Sequence, residues 1–321
     1  MQKMRNNINN IGVIGYKNQA SKIINILKKK KFNLYIYVKN KKKFVNKKNI
    51  KYIEDLNLLG KCCSAIFIAS PSTTHFKYIT YFAKEKKFIF CEKPPCTKII
   101  DYKKLNKLSN SIKKRIYFNF NYKFSPFYIS AQKILSNKIY GKPIHFSWNN
   151  SHGLAFKRKL KKSKNLLNNI TGNLGIHFVN LYLNFFRRIN KIDFIEKKII
   201  NKKIIDNAII NIKTKNVSGI IAMSYSSVAE CNAFLLTTNS ILKFNNGTTS
   251  LFYPRNTFDK FGNYTTPKKK IIKKFSNMKF HNNYTLLKSI NFFIKNYKNE
   301  EYFKINDFNT AMLSNKFFLK N

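Results

Sequence analysis

The sequence predicts an α/β protein in which a doubly wound parallel sheet is followed by an α+β domain with a largely antiparallel open sheet. Three observations predict it. From Ile11 to Phe120, short apolar runs alternate with segments of helical period. A loop beginning with glycine, Gly15-Tyr16-Lys17-Asn18-Gln19-Ala20, follows the first apolar run. Beyond Tyr122 the pattern changes to β-rich runs joined by turns too short for crossovers.

Taken in order, Asn10 to Ile14 is a compact apolar run ended by Gly15, the expected first strand. Ala20, Ile23, Ile24 and Leu27 then fall at i, i+3, i+4 and i+7, one face of a helix over 19–30. Leu34 to Val38 reads as the second strand, and Ala65 to Ala69 as a buried strand stopped by Pro71. Phe76, Ile79, Phe82 and Ala83 mark a helix, and Phe88 to Cys91 a strand. Ile100, Leu105, Leu108 and Ile112 form a helical stripe before a last strand, Ile116 to Phe120. Ser125 before Pro126 is an N-cap with proline in the first turn, so a helix is expected to run to about Asn137. Gly141 to Asn150 reads as a strand, Gly153 to Ile170 as a basic connection able to act as a lid, and Gly175 to Phe186 as helical. Ala208 to Ile212, Gly219 to Tyr225, Ala233 to Thr238 and Ser240 to Phe244 are strands with hairpin-length turns between them. Two helical patterns close the chain, near Tyr284 to Tyr297 and Phe308 to Phe318. The expected domains are 1–121 and 122–321.

Of 321 residues, 62 are Lys or Arg and 13 are Asp or Glu, a formal net charge of +49. Clustered basic residues track phosphates. Here the excess is spread along the chain and only six of the basic residues are Arg, the side chain suited to bidentate phosphate and guanine recognition. Lys, Asn, Ile, Phe and Tyr rise together, as an A+T-rich coding bias produces, so a nucleic-acid partner is not favoured. Five cysteines form no paired CxxC and have no histidine within a few residues, so free thiols and no metal site are expected. Met1 to Asn10 lacks the apolar stretch of a secretory leader and no window is apolar enough to span a bilayer, so a reduced, cytoplasmic setting is expected. Neither a GxSxG elbow nor a GxxxxGK[ST] loop occurs, and no carboxylate stands between Asp101 and Asp193. Those absences count against a serine hydrolase, a P-loop NTPase and a paired-carboxylate glycosidase within that stretch.

The first strand delivers its loop to a helix N-terminus, whose free N–H groups and dipole favour phosphate. Against GxGxxG the loop keeps Gly15, has Lys17 at the second glycine and Ala20 at the third. Lys17 crowds the approach of a pyrophosphate unless it swings out and pairs with it. Gly15, Tyr16, Lys17, Asn18 and Gln19 are therefore candidate cofactor contacts. The second strand ends Lys39-Asn40, without the acid that accepts from the ribose of NAD, which leans toward NADP. Ala69-Ser70-Pro71 with His75, and Glu92-Lys93-Pro94, each follow a buried strand and so lie at the carboxyl edge, where open α/β sheets bind ligands. For His75, satisfaction by backbone at a helix start stands beside a cofactor contact.

In these features the chain resembles the Gfo/Idh/MocA oxidoreductases, the family of glucose-fructose oxidoreductase and inositol dehydrogenase. The resemblance rests on Ile11 to Gly15, Ala69-Ser70-Pro71 with His75, Glu92-Lys93-Pro94, Asn121 to Pro126, Gly141, and Gly172 through Asn180. It implies a Rossmann-type first domain binding NAD or NADP, a sugar or cyclitol docked on the sheet of the second, and a homo-oligomer. Carried over residue by residue, Lys93 contacts the substrate hydroxyl and the nicotinamide ribose, and His177 is the acid-base residue. Asn173 takes the place of the family's catalytic Asp, Asn180 that of the Asp after the histidine, and Lys123 that of an Arg near the substrate. The Asn-x-Gly-x-His sequence is similar to that of a branch acting on nucleotide-linked sugars.

Oxidising a secondary alcohol requires a base within hydrogen-bond reach of the hydroxyl, with a pKa near the working pH. A neutral histidine meets this directly, whereas lysine does so only when burial or nearby cations lower its pKa. The expected roles are His177 as base and Lys93 as positioning donor, with a core histidine on an apolar helix as the other reading of His177. Two further functions stay open at this point: a non-catalytic relative with a degenerate glycine loop, motivated by Lys17, Asn173, Asn180 and Lys123, and nucleic-acid binding.

Overall fold

A computed structural model describes residues 9–156, 169–253 and 258–319. The basic stretch Lys157 to Lys164, expected as part of a lid, lies outside them. The chain divides into two compact units, one formed by Met1–Phe120 with Leu287–Asn321 and the other by Asn121–Leu286.

The first unit is built on β1 (Asn10–Ile14), β2 (Asn33–Tyr37), β3 (Ile50–Ile53), β4 (Ala65–Ile68), β5 (Phe88–Glu92) and β6 (Ile116–Asn119). Every pairing is parallel and the order is β3-β2-β1-β4-β5-β6. The order reverses between β1 and β4, the switch point at which such sheets leave a crevice. β4 and β6 are buried along their whole length, which is why they read as continuous apolar runs. Helices α1 (Gln19–Lys29), α2 (Leu56–Cys62), α3 (His75–Lys84), α4 (Ile99–Asn106) and α5 (Asn110–Lys113) connect the strands. The single stripe expected from Ile100 to Ile112 is thus two helices. β3 and α2 went unread in the sequence, because Ile-Lys-Tyr-Ile is a four-residue edge strand with no apolar run to mark it.

The chain's last segment corrects the expected second domain. Helices α6 (Pro126–Ser136) and α7 (Ile176–Phe186) belong to the second unit, but the second half of α8 (Met278–Lys298) and all of α9 (Ile305–Lys316) pack in the first. Phe293 lies 5.0 Å from Phe67 and 5.5 Å from Phe90 between ring centroids. Phe303 is 5.3 Å from Tyr117, and Phe308 is 5.5 Å from Phe118. This face of the parallel sheet carries aromatic side chains that need an apolar cover. The period of a helix says that it has an apolar face, not which sheet that face will meet.

The second unit is an eight-stranded sheet of β7 (Pro143–Ser151), β8 (Lys191–Lys197), β9 (Asn207–Lys213), β10 (Ser218–Ser224), β11 (Glu230–Thr237), β12 (Ile241–Asn245), β13 (Thr248–Phe252) and β14 (Lys269–Lys274). Its order is β14-β13-β12-β11-β7-β10-β9-β8, antiparallel except where β7 meets β10. Asn246 and Gly247, at φ 42° and 101°, make the tight β12–β13 turn. One sheet face buries Phe146, Trp148 and Phe244 against Phe127 of α6 and Phe178 of α7, with Trp148 and Phe178 stacked at 4.6 Å. On the opposite face Ile209 and Ile220 are exposed, as strict alternation requires. β14, Lys-Lys-Ile-Ile-Lys-Lys, escaped the sequence reading because an exposed edge strand shows no alternation.

Candidate functional site

In the first unit, the glycine loop leaves β1 with Gly15 at φ +111°. A Cβ there would lie 2.6 Å from the Ala69 carbonyl oxygen, so glycine is needed for close approach to the end of β4. Ala69 is tied down by its N–H donating to the Ile14 carbonyl at 2.9 Å. Tyr16, Lys17 and Asn18 are exposed. Lys17 does swing out, its Nζ standing 5.7 Å from the Tyr16 ring centroid. Asn18 occupies the N-cap of α1 at φ 44° with no side-chain cap, and no acid stands in the first turn. This helix N-terminus therefore keeps its positive end for an anion. The chemistry fits the phosphates of a dinucleotide.

At the end of β2, Lys39 and Asn40 are exposed, and Asn40 Oδ1 accepts from the Lys42 N–H at 3.0 Å, capping a short turn. Neighbouring Glu54 accepts from the Lys41 N–H at 2.7 Å, so that carboxylate is engaged by the turn. At the end of β4, Ser70 and Thr74 hydroxyls meet at 2.7 Å, and Pro71 is exposed. His75, at the start of α3, is 1% exposed. Its Nδ1 lies 2.8 Å from the Pro94 carbonyl oxygen and its Nε2 3.0 Å from that of Ser70. Its ring is enclosed and joins the loops after β4 and β5, the arrangement of a histidine satisfied by backbone at a helix start. Burial holds its pKa below the ordinary value against the two carbonyls, and the Lys93 charge acts in the same direction as burial.

Glu92 and Lys93 are both half-buried at the end of β5, and the Lys93–Pro94 peptide is cis. Glu92 Oε1 accepts from Asn119 Nδ2 at 2.8 Å and from Gln19 Nε2 at 3.3 Å, linking β5 to β6 and to the first residue of α1. Burial raises the Glu92 pKa, opposed by Asn119, Lys93 and Gln19. Burial also draws Lys93 down from 10.5 to about 8, with Glu92 opposing. An ammonium group with that value exchanges its proton near neutral pH. Asn119 was missed in the sequence, although it too ends a buried strand at the carboxyl edge.

In the second unit, a π-helical turn, Thr171–Gly175, runs directly into α7. Asn173 is half-buried in that turn, and its Nδ2 donates to Tyr225 Oη at 2.7 Å. Tyr225, just after β10, also packs against the His152 ring at 4.8 Å. Burial pushes the Tyr225 phenol up to about 12, with Asn173 opposing. No local pattern marks Tyr225 and His152 as neighbours around Asn173, because the three come from different elements. His177 is 7% exposed on the first turn of α7, its ring 5.3 Å from that of Tyr122. Asn180 is buried and its Oδ1 accepts from Asn184 Nδ2 at 3.1 Å, a bond internal to the helix. Lys123 is half-buried in the turn Asn121–Phe124 that precedes α6. Asn173, His177 and Lys123 are thus all on the helical side of the second sheet.

No curated protein matches the chain by sequence. Its fold is similar over nearly the whole length to a probable dehydrogenase from Thermotoga maritima, with 18% identity, 97% of this chain and 96% of that one covered, and a TM-score of 0.72. It is also similar to a myo-inositol dehydrogenase from Corynebacterium glutamicum, with 13% identity, coverage of 96% and 94%, and a TM-score of 0.74. A UDP-N-acetylglucosamine 3-dehydrogenase from Acidithiobacillus ferrooxidans gives 11% identity, coverage of 96% of both chains and a TM-score of 0.74. At these identities the likeness is one of fold. Among the described residues no helix is long and apolar enough to cross a membrane. Residues 9–120 match the model of the GFO_IDH_MocA oxidoreductase family, described as an NAD-binding Rossmann fold. Over these residues the chain carries the NAD-binding domain of the Gfo/Idh/MocA oxidoreductases, with NAD or NADP as cofactor.

Proposed function

We propose that this protein is an NAD(P)-dependent dehydrogenase that oxidises a secondary alcohol of a sugar or nucleotide-sugar. The observation that carries the proposal is Lys93, a half-buried ammonium group with a pKa of about 8 at the carboxyl edge of a dinucleotide-binding sheet. The bound dinucleotide supplies the hydride acceptor. Lys93 Nζ donates to the reacting hydroxyl and fixes its orientation, while the His177 imidazole takes the hydroxyl proton as hydride leaves the carbon. Asn173, anchored on Tyr225 Oη, contributes a neutral amide where the family has a carboxylate. The exposed Lys39 and the absence of an acid at the end of β2 support NADP, whose 2′-phosphate needs a cation. The family resemblance and the exposed Ile209 and Ile220 support a homo-oligomer paired through the open face of the second sheet.

Fluorescence titration with NADH and NADPH, then absorbance assays over a panel of sugars and nucleotide-sugars, tests the reading. Lys93→Ala and His177→Ala are each expected to abolish turnover of the best substrate while circular dichroism stays unchanged. Full activity in both variants would overturn the assignment. A non-catalytic relative is the second reading, favoured by Lys17 in the glycine loop, and failure to bind either dinucleotide would select it.

A further inference from the structure

Glu92 ends a hydrogen-bond chain whose direction is fixed by counting protons. Asn119 donates its amide N–H to Glu92 at 2.8 Å, so its Oδ1 is left as acceptor, and the Ser289 hydroxyl donates to it at 2.7 Å. That commits the one proton of Ser289. Tyr117 Oη, 3.1 Å from Ser289 Oγ, must therefore be the donor in that contact. Gln19 Nε2 adds a separate donor to the same carboxylate oxygen at 3.3 Å. Asn119, Ser289 and Tyr117 are 1%, 0% and 4% exposed, so water does not compete for these bonds. Every donor points toward Glu92, and a chain polarised this way stabilises a carboxylate more than a neutral carboxyl.

We infer that Asn119 and Ser289 are positioning residues of the candidate site, holding Glu92 as an oriented carboxylate beside Lys93 and so governing the charge that Lys93 carries. This rests on the proposed role of Lys93. Among the described residues, other titratable groups coupled to the pair are Cys91, beside Glu92, and His75, beside Lys93. Burial keeps the Cys91 thiol protonated and disfavours the His75 cation. Glu92 is then the counter-charge to Lys93 among these groups. Ser289 comes from α8, 170 residues from Asn119 in sequence, so the C-terminal segment takes part in the chemistry of the first unit.

The chain contains seven glutamates, so protein labelled with ¹³C at glutamate Cδ gives few carboxyl resonances, and Glu92→Gln assigns one of them. The Glu92 resonance is expected to titrate about half a pH unit higher in Ser289→Ala, and about one unit higher in Asn119→Ala, the loss of one and of two links. Tyr117→Phe, which keeps the ring, is expected to shift it the same way by less and serves if Asn119→Ala fails to fold. Once a substrate is found, the alkaline limb of the turnover profile, where the Lys93 ammonium is lost, is expected to move to lower pH in Ser289→Ala, with the dinucleotide KM unchanged. Loss of the Glu92 charge removes the influence that raises Lys93, hence the sign. Unmoved Glu92 titration in Ser289→Ala and Tyr117→Phe would overturn the inference even if turnover is found. A shifted titration with no turnover on any sugar would instead leave the chain standing and count against the dehydrogenase reading.

Discussion

Replacing Gly15 with alanine is the sharpest test of the glycine loop. Residue 15 sits at φ +111°, where an L side chain is strained, at about 1–3 kcal/mol. The added Cβ would stand 2.6 Å from the Ala69 oxygen, 2.9 Å from the Ala69 carbonyl carbon and 3.1 Å from the Ser70 nitrogen. These are main-chain atoms held in register with β1, so relief requires separating β1 from β4, about another 1–3 kcal/mol. The sum, about 2–6 kcal/mol, corresponds to a fall in Tm of roughly 5–20 °C for a chain of this size. Because the displaced segment carries Ser70, NADH affinity is expected to fall as well. Thermal melts by circular dichroism and a fluorescence titration measure both. Gly153→Ala is the control, since its Cβ would meet only Phe156 Cδ2, at 3.5 Å. A Gly15→Ala protein melting within about 2 °C of the wild type would refute the account of the loop.

Three further outcomes follow from the same structure. Because burial lowers Lys93 from 10.5 to about 8, its charged form destabilises the folded chain below pH 8. That cost fades as pH rises from 8 to 10.5, so Lys93→Met is expected to be the more stable protein at pH 7, by at most about 3 kcal/mol; a stability difference that is independent of pH in urea melts would contradict the shift. Phe293→Ala removes a fully buried ring from against Phe67 and Phe90 and is expected to cost about 3–5 kcal/mol; a loss under about 1 kcal/mol would mean that the C-terminal segment does not cover the parallel sheet. Asp206 accepts from the backbone N–H groups of Ile199, Ile200 and Asn201 at 2.7–2.8 Å, and although burial pushes its carboxyl up, these bonds hold it below the ordinary value. Asp206→Asn is expected to cost about 2 kcal/mol at pH 7, with the difference shrinking as pH falls below about 4; equal stability at neutral pH would sink the prediction.

Much of the first unit was legible because its strands are buried on both faces. β1, β4, β5 and β6 announce themselves as apolar runs, and the alternation with helical stripes specifies parallel crossovers. The loops carrying Gly15, Ser70 and Lys93 then fall at the carboxyl edge by topology alone. The edge strands β8 and β14 were invisible for the converse reason, since exposed strands rich in charge carry no periodic burial, and β3 was too short to show an apolar run. His75 shows what residue type leaves open. Its position beside a ligand edge suggested either a contact or satisfaction by backbone, and the fold encloses it between the Ser70 and Pro94 carbonyls.

What the sequence determined by itself was the local grammar: apolar runs, helical stripes, a glycine that only a left-handed turn needs, and a Glu-Lys-Pro at a strand end. These depend on neighbours within a few residues, where period and backbone sterics suffice. The tertiary structure alone decided that α9 and half of α8 return to the parallel sheet, that Asn173 leans on Tyr225, and that Ser289 reaches Glu92 through Asn119. Each joins groups far apart in sequence, and such pairings are selected by complementary shape and by the need of buried polar atoms for partners, which no short window of residues encodes.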